Sequence, residues 1–157
     1  MNIKNLLDSE RKLTSNIVVD QSLAEYKVFA RKHLQLHIKL SSLADETGCY
    51  KYWLDDELSY DKESVLNKYV IFLRHILALA IDNNHDDIEE VNVETSDSCL
   101  SDQFLNLFID INDLIMSSSK DHFVTILEDY FTLGISLGFT EEQIKNNFYN
   151  SINEKVL

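Results

Sequence analysis

A helical pattern runs through residues 34–53, which read LQLHIKLSSLADETGCYKYW. Up to Thr47 the residues that would be buried recur every three or four positions, as they do on one face of an α-helix. That face consists of Leu36, Leu40, Leu43 and Thr47. The neighbouring stripe of the same helix is polar and consists of Lys39, Ser42 and Glu46. The sequence therefore predicts a helix that buries one stripe and carries the polar stripe along its border.

A second segment, residues 64–81, reads SVLNKYVIFLRHILALAI and is apolar around most of its circumference. A helix of this kind is normally buried on several sides, so we expect it at the centre of a helical bundle. Its polar exceptions Lys68 and His75 share a stripe with Ile71. We expect this helix to face the first one.

The composition favours one helical domain over residues 1–157. The chain has 45% hydrophobic and 26% charged residues, as soluble globular proteins do, and its length suffices for a core without disulfides or metal. It contains no proline and only three glycines. Because these two residues are the commonest breakers of helices, the sequence predicts an all-α fold with long helices.

The formal net charge of −13 restricts the classes of partner that the protein can bind. Such a surface repels nucleic acid and anionic membranes, so a basic protein is the more natural partner. Cys49 and Cys99 show no zinc or redox spacing. The N-terminal residues lack a signal-peptide pattern, and no segment approaches the roughly 18 uninterrupted apolar residues of a membrane span. We expect a cytoplasmic protein that uses no membrane.

The remaining helices are predicted from periodicity and capping residues. They cover residues 3–18, 23–47, 102–116, 121–137 and 141–157, with a cap for the second of them in residues 20–22. Gly138 is expected to end the fifth helix of the chain, and Thr140 with Gln143 forms a predicted capping box for the last. The fourth and fifth helices carry more apolar residues than a small monomeric bundle needs, which indicates an interface.

Residues 82–101 are polar, acidic and weakly periodic, and we expect them to form an exposed loop. A substitute metal site is the alternative interpretation of this segment, since His85 lies beside Asp86, Asp87, Glu89 and Glu90. The spacing of these acids does not match the EF-hand calcium loop, and charge runs are usually solvated faces.

Three segments of the chain resemble the dimeric all-α dUTPases, a branch of the all-α nucleoside triphosphate pyrophosphatases found in phages, bacteria and trypanosomatids. Family members read close to ELxELANETRCFKYW, EYVDGLHFILSLGIE and LGxxLGFTxEE. This chain has LSSLADETGCYKYW, KYVIFLRHILALAID and LGISLGFTEE in the same order between residues 34 and 142. The resemblance implies a helical bundle of the dimeric dUTPase type, a homodimer and Mg²⁺-dependent hydrolysis of a nucleotide.

The chain departs from the family at the positions that the resemblance assigns to metal binding. There, an ExxE pair and an ExxD pair hold Mg²⁺, and the four positions correspond to Lys39, Ser42, Lys68 and Ile71. Mg²⁺ prefers hard oxygen ligands such as carboxylates, and the formal charge changes here from −4 to +2. At ~4 Å and an effective dielectric constant of ~20, each unit charge pair is worth roughly 4 kcal/mol. The departures predict the loss of Mg²⁺ and of metal-assisted hydrolysis, with no metal or other cofactor.

Other family positions change as well. A nucleotide-contacting Gln and Leu-Asp pair of the first helix correspond to Glu10, Leu13 and Thr14 in this chain, and a Lys-Asn pair of the last helix corresponds to Ser151 and Ile152. Lys51 and Trp53, with Tyr50, are retained or similar. They would contact a phosphate and stack on a base, or alternatively cover the end of the bundle.

Two functional hypotheses follow from the residues and the resemblance. In the first, the chain keeps the fold and the dimer, has lost catalysis, and regulates by binding another protein. Lys39 and Lys68 would seal the old cleft, for example by pairing with Glu46. In the second, an altered site hydrolyses dUTP or dUDP, or uses Lys39 and Lys68 to hold a nucleotide without turnover.

Overall fold

The computed structural model describes residues 1–57 and 59–154, and their regular structure is helical. An isolated bridge between Asn2 and Glu90 lies outside the helices. In chain order the helices are α1 (Lys4–Thr14), α2 (Glu25–Thr47), α3 (Lys62–Asp82), α4 (Leu100–Met116), α5 (Lys120–Ser136) and α6 (Glu141–Asn153). The predicted all-α fold is confirmed.

Helix α3 lies at the centre of the bundle and packs against α1, α2, α5 and α6. Ten of its residues are buried, which confirms its predicted position: Val65, Tyr69, Val70, Phe72, Leu73, Arg74, Ile76, Leu77, Leu79 and Ala80. By length and composition alone α3 would also suffice to cross a membrane, a test that core helices of soluble proteins pass too. Here the surrounding helices already cover much of its apolar surface.

Helix α2 buries the predicted stripe. Leu36, Leu40, Leu43 and Thr47 are all buried. The adjacent polar stripe of Lys39, Ser42 and Glu46 is half-buried and runs along the border of the core. The periodicity of residues 34–47 therefore predicts both the helix and its orientation.

Side-chain and glycine caps explain where several helices begin or end. Asp61 caps α3 by accepting from the backbone N–H groups of Glu63 and Ser64, so α3 starts two residues before its predicted beginning. Thr140 and Gln143 form the predicted capping box. Gly138 follows the C-cap residue Leu137 with φ +83°, and the N–H of Phe139 donates to the carbonyl of Gly134 at 3.0 Å.

The predicted first helix is too long, and the predicted cap of α2 is wrong. Helix α1 ends at Thr14 because the side chains of Thr14, Ser15 and Asn16 bond to carbonyls of its last turn and compete with helix continuation. Asp20 bonds instead to the N–H and hydroxyl of Ser22, and α2 begins after Ala24 without a side-chain cap. Residues 15–24 form a linker.

The acidic segment after α3 is more ordered than the exposed loop that we predict. Ile88 and Val91 are buried, the N-terminal ammonium of Met1 donates to the Val91 carbonyl at 2.7 Å, and the N–H of Ile3 donates to the Glu89 carbonyl at 2.9 Å. The buried apolar side chains and the two hydrogen bonds hold this loop against the N-terminal residues.

The apolar residues of α5 also differ from expectation, because most of them are buried in the bundle rather than available for an interface. They are Phe123, Ile126, Leu127, Tyr130, Phe131 and Leu133. Several exposed apolar side chains lie instead on α4 and α2. We define the α2–α4 face as Leu34, Ile38, Leu105, Ile109 and Met116, all more than half exposed.

Candidate functional site

The four positions that the resemblance predicts to correspond to metal ligands lie on two helices that pack against each other. Lys39 and Ser42 belong to α2, Lys68 and Ile71 belong to α3, and all four side chains are half-buried. Lys68 Nζ donates to Glu46 Oε2 at 2.7 Å. This ion pair connects α2 and α3 along the polar stripe of α2, as the sequence predicts for Lys68.

The environment of Glu46 keeps its side chain ionised. The hydrogen bond from Lys68, followed by that from Ser64, holds the pKa of Glu46 below its usual value. The Glu46 carboxylate is therefore hydrogen-bonded to a lysine of the facing helix α3. Its negative charge is balanced within the protein.

The positive charge of Lys39 affects the pKa of His75, which lies one turn beyond Ile71 on α3. Burial, followed by the positive charges of Lys39 and Arg74, lowers the pKa of His75 to about 4. The imidazole is thus neutral at physiological pH. Its Nε2 atom is buried and has no hydrogen-bond partner among the described residues.

Arg74, the neighbour of His75 on α3, forms a buried ion pair with Glu10 of α1. Arg74 Nε donates to Glu10 Oε2 at 3.1 Å, and the two side chains are only 3% and 4% exposed. Burial raises the pKa of Glu10, and the adjacent Arg74 acts in the opposite direction. Arg74 Nη1 also lies 3.5 Å from the carbonyl oxygen of Ser151 on α6. Arg74 therefore joins α1, α3 and α6.

This pair is absent from the predictions that the sequence supports. Glu10 enters them only as a departure from the family, and Arg74 does not enter them. The available signal was one arginine inside a helix that is otherwise apolar on nearly all sides, because a charge buried in such a helix requires a counter-charge from elsewhere.

A cavity of about 320 Å³ opens between α1, α2 and α3, and Ile17 and Val19 of the linker help to line it. Ile71, Arg74 and His75 form part of its α3 side. Its charged residues are engaged with each other. They form the pairs Glu10–Arg74 and Lys32–Asp82.

Ile71 also lines a second groove, of about 240 Å³, between α3 and α6. Asn67, Asn147 and Ser151 contribute to this groove. The hydroxyl of Ser151 is engaged, since it donates to the carbonyl of Phe148 at 2.7 Å. Of the other changed family positions, Glu10 and Thr14 line the larger cavity.

Lys51 and Trp53 do not line either cavity. Lys51 Nζ donates to Asp55 Oδ2 at 2.9 Å, and this contact raises the pKa of Lys51. Trp53 is half-exposed beside Tyr52, which is 94% exposed. Trp53 is therefore only partly packed, and both interpretations of Lys51 and Trp53, contact with a nucleotide and cover for the end of the bundle, stay predictions.

The acids after α3 are occupied by ion pairs rather than gathered around one point. Asp86 pairs with Arg11, Asp87 with Lys120, and Glu89 with Lys4. His85 Nε2 lies 2.7 Å from the carbonyl of Ser118. Among residues 1–57 and 59–154, no group of three or more His, Cys, Asp or Glu side chains is arranged to hold a metal ion.

These features define a class of protein: an all-α bundle whose central helix α3 packs against the long helix α2, with a cavity beside them. A family model described as dUTPase matches residues 2–155, nearly the whole chain. The protein belongs to this dUTPase family, which confirms the family that the three sequence blocks resemble. No curated protein and no solved structure matches the chain significantly.

Proposed function

We propose that this protein is a dUTPase-family member that does not carry out Mg²⁺-dependent hydrolysis and acts in the cytoplasm by binding another protein. One observation carries the proposal. The ion pair between Lys68 and Glu46 joins α2 and α3 at the border where family members place carboxylates for Mg²⁺.

The electrostatics of the cleft support this proposal. Lys39 and Lys68 contribute two positive charges at positions where the family has acids, and Ser42 and Ile71 contribute none. Hydrolysis by this family depends on a metal that neutralises phosphate charge and activates water. A divalent cation beside two ammonium groups is repelled by roughly 4 kcal/mol or more for each charge pair at ~4 Å.

The surface supports a protein partner. The net charge of −13 disfavours nucleic acid and favours a basic partner. Tyr52 and Leu54 stand almost fully exposed beside Asp56 and Glu57, so the segment after α2 presents apolar and acidic side chains together. Exposed aromatic residues are frequent anchors of protein interfaces.

Nucleotide binding without turnover is the second candidate function, and the cavity between α1, α2 and α3 favours it. Its volume of about 320 Å³ lies within the range of small-molecule sites. Lys39 does not line this cavity, but its positive charge acts on His75, which does, and it would attract a phosphate bound there. In a variant of this hypothesis, the altered site also hydrolyses dUTP or dUDP.

Titration calorimetry with dUTP and dUDP, with and without Mg²⁺, followed by an assay of pyrophosphate and phosphate release, separates these functions. We expect no Mg²⁺-dependent heat and no product, because the cleft lacks metal-binding carboxylates. An active dimeric dUTPase serves as the positive control. Binding without turnover would support the second candidate, whereas Mg²⁺-dependent pyrophosphate release would refute the main proposal.

A variant that restores the four acids tests the geometry of the cleft. It combines Lys39→Glu, Ser42→Glu, Lys68→Glu and Ile71→Asp, and we expect Mg²⁺ to raise its melting temperature although Mg²⁺ leaves the original protein unchanged. A variant with Lys12→Glu, Lys27→Glu and Lys62→Glu changes the net charge equally at exposed positions. If both variants respond alike, general screening rather than a site explains the effect.

We also infer that the protein forms a homodimer through the α2–α4 face. Family members are generally dimeric, and this face exposes apolar side chains on two helices that pack against each other. The five side chains that define this face are apolar, so they can be buried between two chains without the desolvation of a charge. Exposed apolar patches of this kind often mark protein interfaces.

Substituting Leu105→Glu and Ile109→Glu together should convert the dimer to a monomer. These side chains are 63% and 58% exposed, so the changes should leave the fold intact while placing charges in the interface. Light scattering coupled to gel filtration measures the mass. Val18→Glu, at an exposed linker position outside the face, is the control and should remain dimeric. A monomeric unmodified protein would contradict the assignment.

A further inference from the structure

A pair of carboxyl groups lies between α4 and α5, away from the cleft. Asp110 of α4 is 7% exposed, and its Oδ2 atom finds no hydrogen-bond donor among the described residues. The side chain within hydrogen-bonding reach of Asp110 is Asp129 of α5. Asp129 accepts a hydrogen bond from the amide nitrogen of Asn106 through its Oδ2 atom at 2.8 Å.

Two carboxylates in such contact cannot both be ionised without strong repulsion, and a carboxylate has no proton to donate. One proton placed between them turns the contact into a hydrogen bond. Asn106 already donates to Asp129, so Asp110 is the more natural member to carry the proton. The buried Oδ2 atom of Asp110 then has a partner.

The other charges around the pair do not replace this proton. On α4, Asp113 adds negative charge, and on α5, His122 acts in the opposite direction. Within residues 1–57 and 59–154, no lysine or arginine is among the groups that shift the pKa of Asp110. Helix α2 also packs against α4, but it contributes none of these charges either. The pair therefore depends on the proton for its stability.

We propose that Asp110 and Asp129 share one proton and that this acid pair is a pH-dependent joint, which weakens the packing of α4 on α5 when the proton leaves. The proposal does not depend on the proposed function. It concerns the interface between α4 and α5, whose residues do not line the cavities described above.

The direction of the pH effect follows from the pKa of Asp110. Burial, followed by the hydrogen bond and charge of Asp129, raises this pKa from 3.8 to about 7. Since the folded protein holds the proton more tightly than the unfolded chain, the pair stabilises the fold fully below about pH 4. That stabilisation is lost as the pH rises to about 7.

The hydrogen bonds between α4 and α5 indicate which part of α4 would pack less tightly when the proton leaves. Gln103 bridges α4 to α5 by donating to Ser136 Oγ at 3.0 Å, and it would still hold the N-terminal part of α4. Near Asp110, the side-chain hydrogen bond that joins α4 to α5 in the described part of the chain is the one from Asn106 to Asp129. Amide hydrogen exchange in the middle of α4 should therefore accelerate with pH beyond the intrinsic chemical effect.

Melting temperatures of the unmodified protein, Asp110→Asn and Asp113→Asn between about pH 5 and about pH 8 test the joint. We expect the unmodified protein and Asp113→Asn to lose several degrees over this range. Asp110→Asn should lose much less and should melt higher than the unmodified protein at the upper end. Its amide donates to Asp129 at every pH, as the protonated acid does. The same pH dependence in Asp110→Asn would overturn the proposal.

Carboxyl carbon shifts measured by NMR on the unmodified protein supply a second test that does not require a variant to fold. We expect one aspartate of the pair to titrate near pH 7, with the resonance of its partner moving in the same transition. If both carboxyl groups titrate below about pH 5, as ordinary aspartates do, the two acids do not share a proton and the proposal fails.

Discussion

Replacing Arg74 by methionine should lower the free energy of unfolding by roughly 3–5 kcal/mol. The substitution leaves Glu10 buried without its cation, at 4% exposure, and removes the contact of the guanidinium with the Ser151 carbonyl. A carboxylate in that position must either stay charged in a poor environment or take up a proton. Urea denaturation at neutral pH measures the loss.

Two controls separate this effect from the loss of any salt bridge. Lys120→Met removes the exposed pair with Asp87 and should cost less than about 1 kcal/mol. The double variant Glu10→Leu with Arg74→Met should recover much of the stability, because apolar residues can replace a buried ion pair. If Arg74→Met costs no more than Lys120→Met, the buried pair does not organise α1, α3 and α6.

The pH dependence of the same variant provides an internal check. Burial already raises the pKa of Glu10, and removal of Arg74 raises it further because the guanidinium is the group that lowers it. At acidic pH the carboxyl group of Glu10 is protonated, and its burial then costs less. The stability deficit of Arg74→Met should therefore shrink as the pH falls.

Gly134→Ala should destabilise the protein by about 1–3 kcal/mol, although alanine is the better helix former by roughly 1 kcal/mol. A Cβ atom at this position of α5 would lie 2.6 Å from the hydroxyl oxygen of Tyr69 and 2.9 Å from its Cζ atom. Tyr69 has little room to withdraw. Its hydroxyl donates to the Tyr130 carbonyl at 2.9 Å, and its ring stacks on that of Tyr130 at 4.3 Å.

Thermal unfolding compared with Thr125→Ala, an exposed position of the same helix, isolates the clash from helix propensity. The control should change stability by no more than about 0.5 kcal/mol. Combining Gly134→Ala with Tyr69→Phe removes the nearest atom and should recover only part of the loss, since Cζ remains and the Tyr130 carbonyl loses its donor. A stabilising effect of Gly134→Ala would show that α3 and α5 separate easily at this point.

Internal charge pairs engage three cations of α2 and α3. Lys68 pairs with Glu46, Arg74 with Glu10, and Lys32 with Asp82, so these three cations are balanced by acids of the protein itself. An enzyme that binds a triphosphate would instead keep such charges available for metal and phosphate. This arrangement supports the proposed change from hydrolysis to binding of another protein.

Much of the architecture was predictable because local chemistry specifies it. The spacing of Leu36, Leu40 and Leu43 predicts the buried face of α2, and the nearly uniform apolarity of residues 64–81 predicts a central helix. The capping box of Thr140 and Gln143 depends only on residues three positions apart. The loss of acids predicted at Lys39, Ser42, Lys68 and Ile71 likewise comes from the sequence, because aligned motifs identify single positions, and it stays a prediction.

The tertiary structure alone decided the contacts between residues that are distant in the chain. Nothing local to Arg74 indicates that its counter-charge is Glu10, or that Asp110 meets Asp129, because such pairs form only when separate helices pack. The same reason explains the buried Ile88 and Val91 in an acidic loop and the burial of the apolar side of α5. Periodicity reports which side of a helix is apolar, whereas the neighbour that covers this side depends on the arrangement of the whole chain.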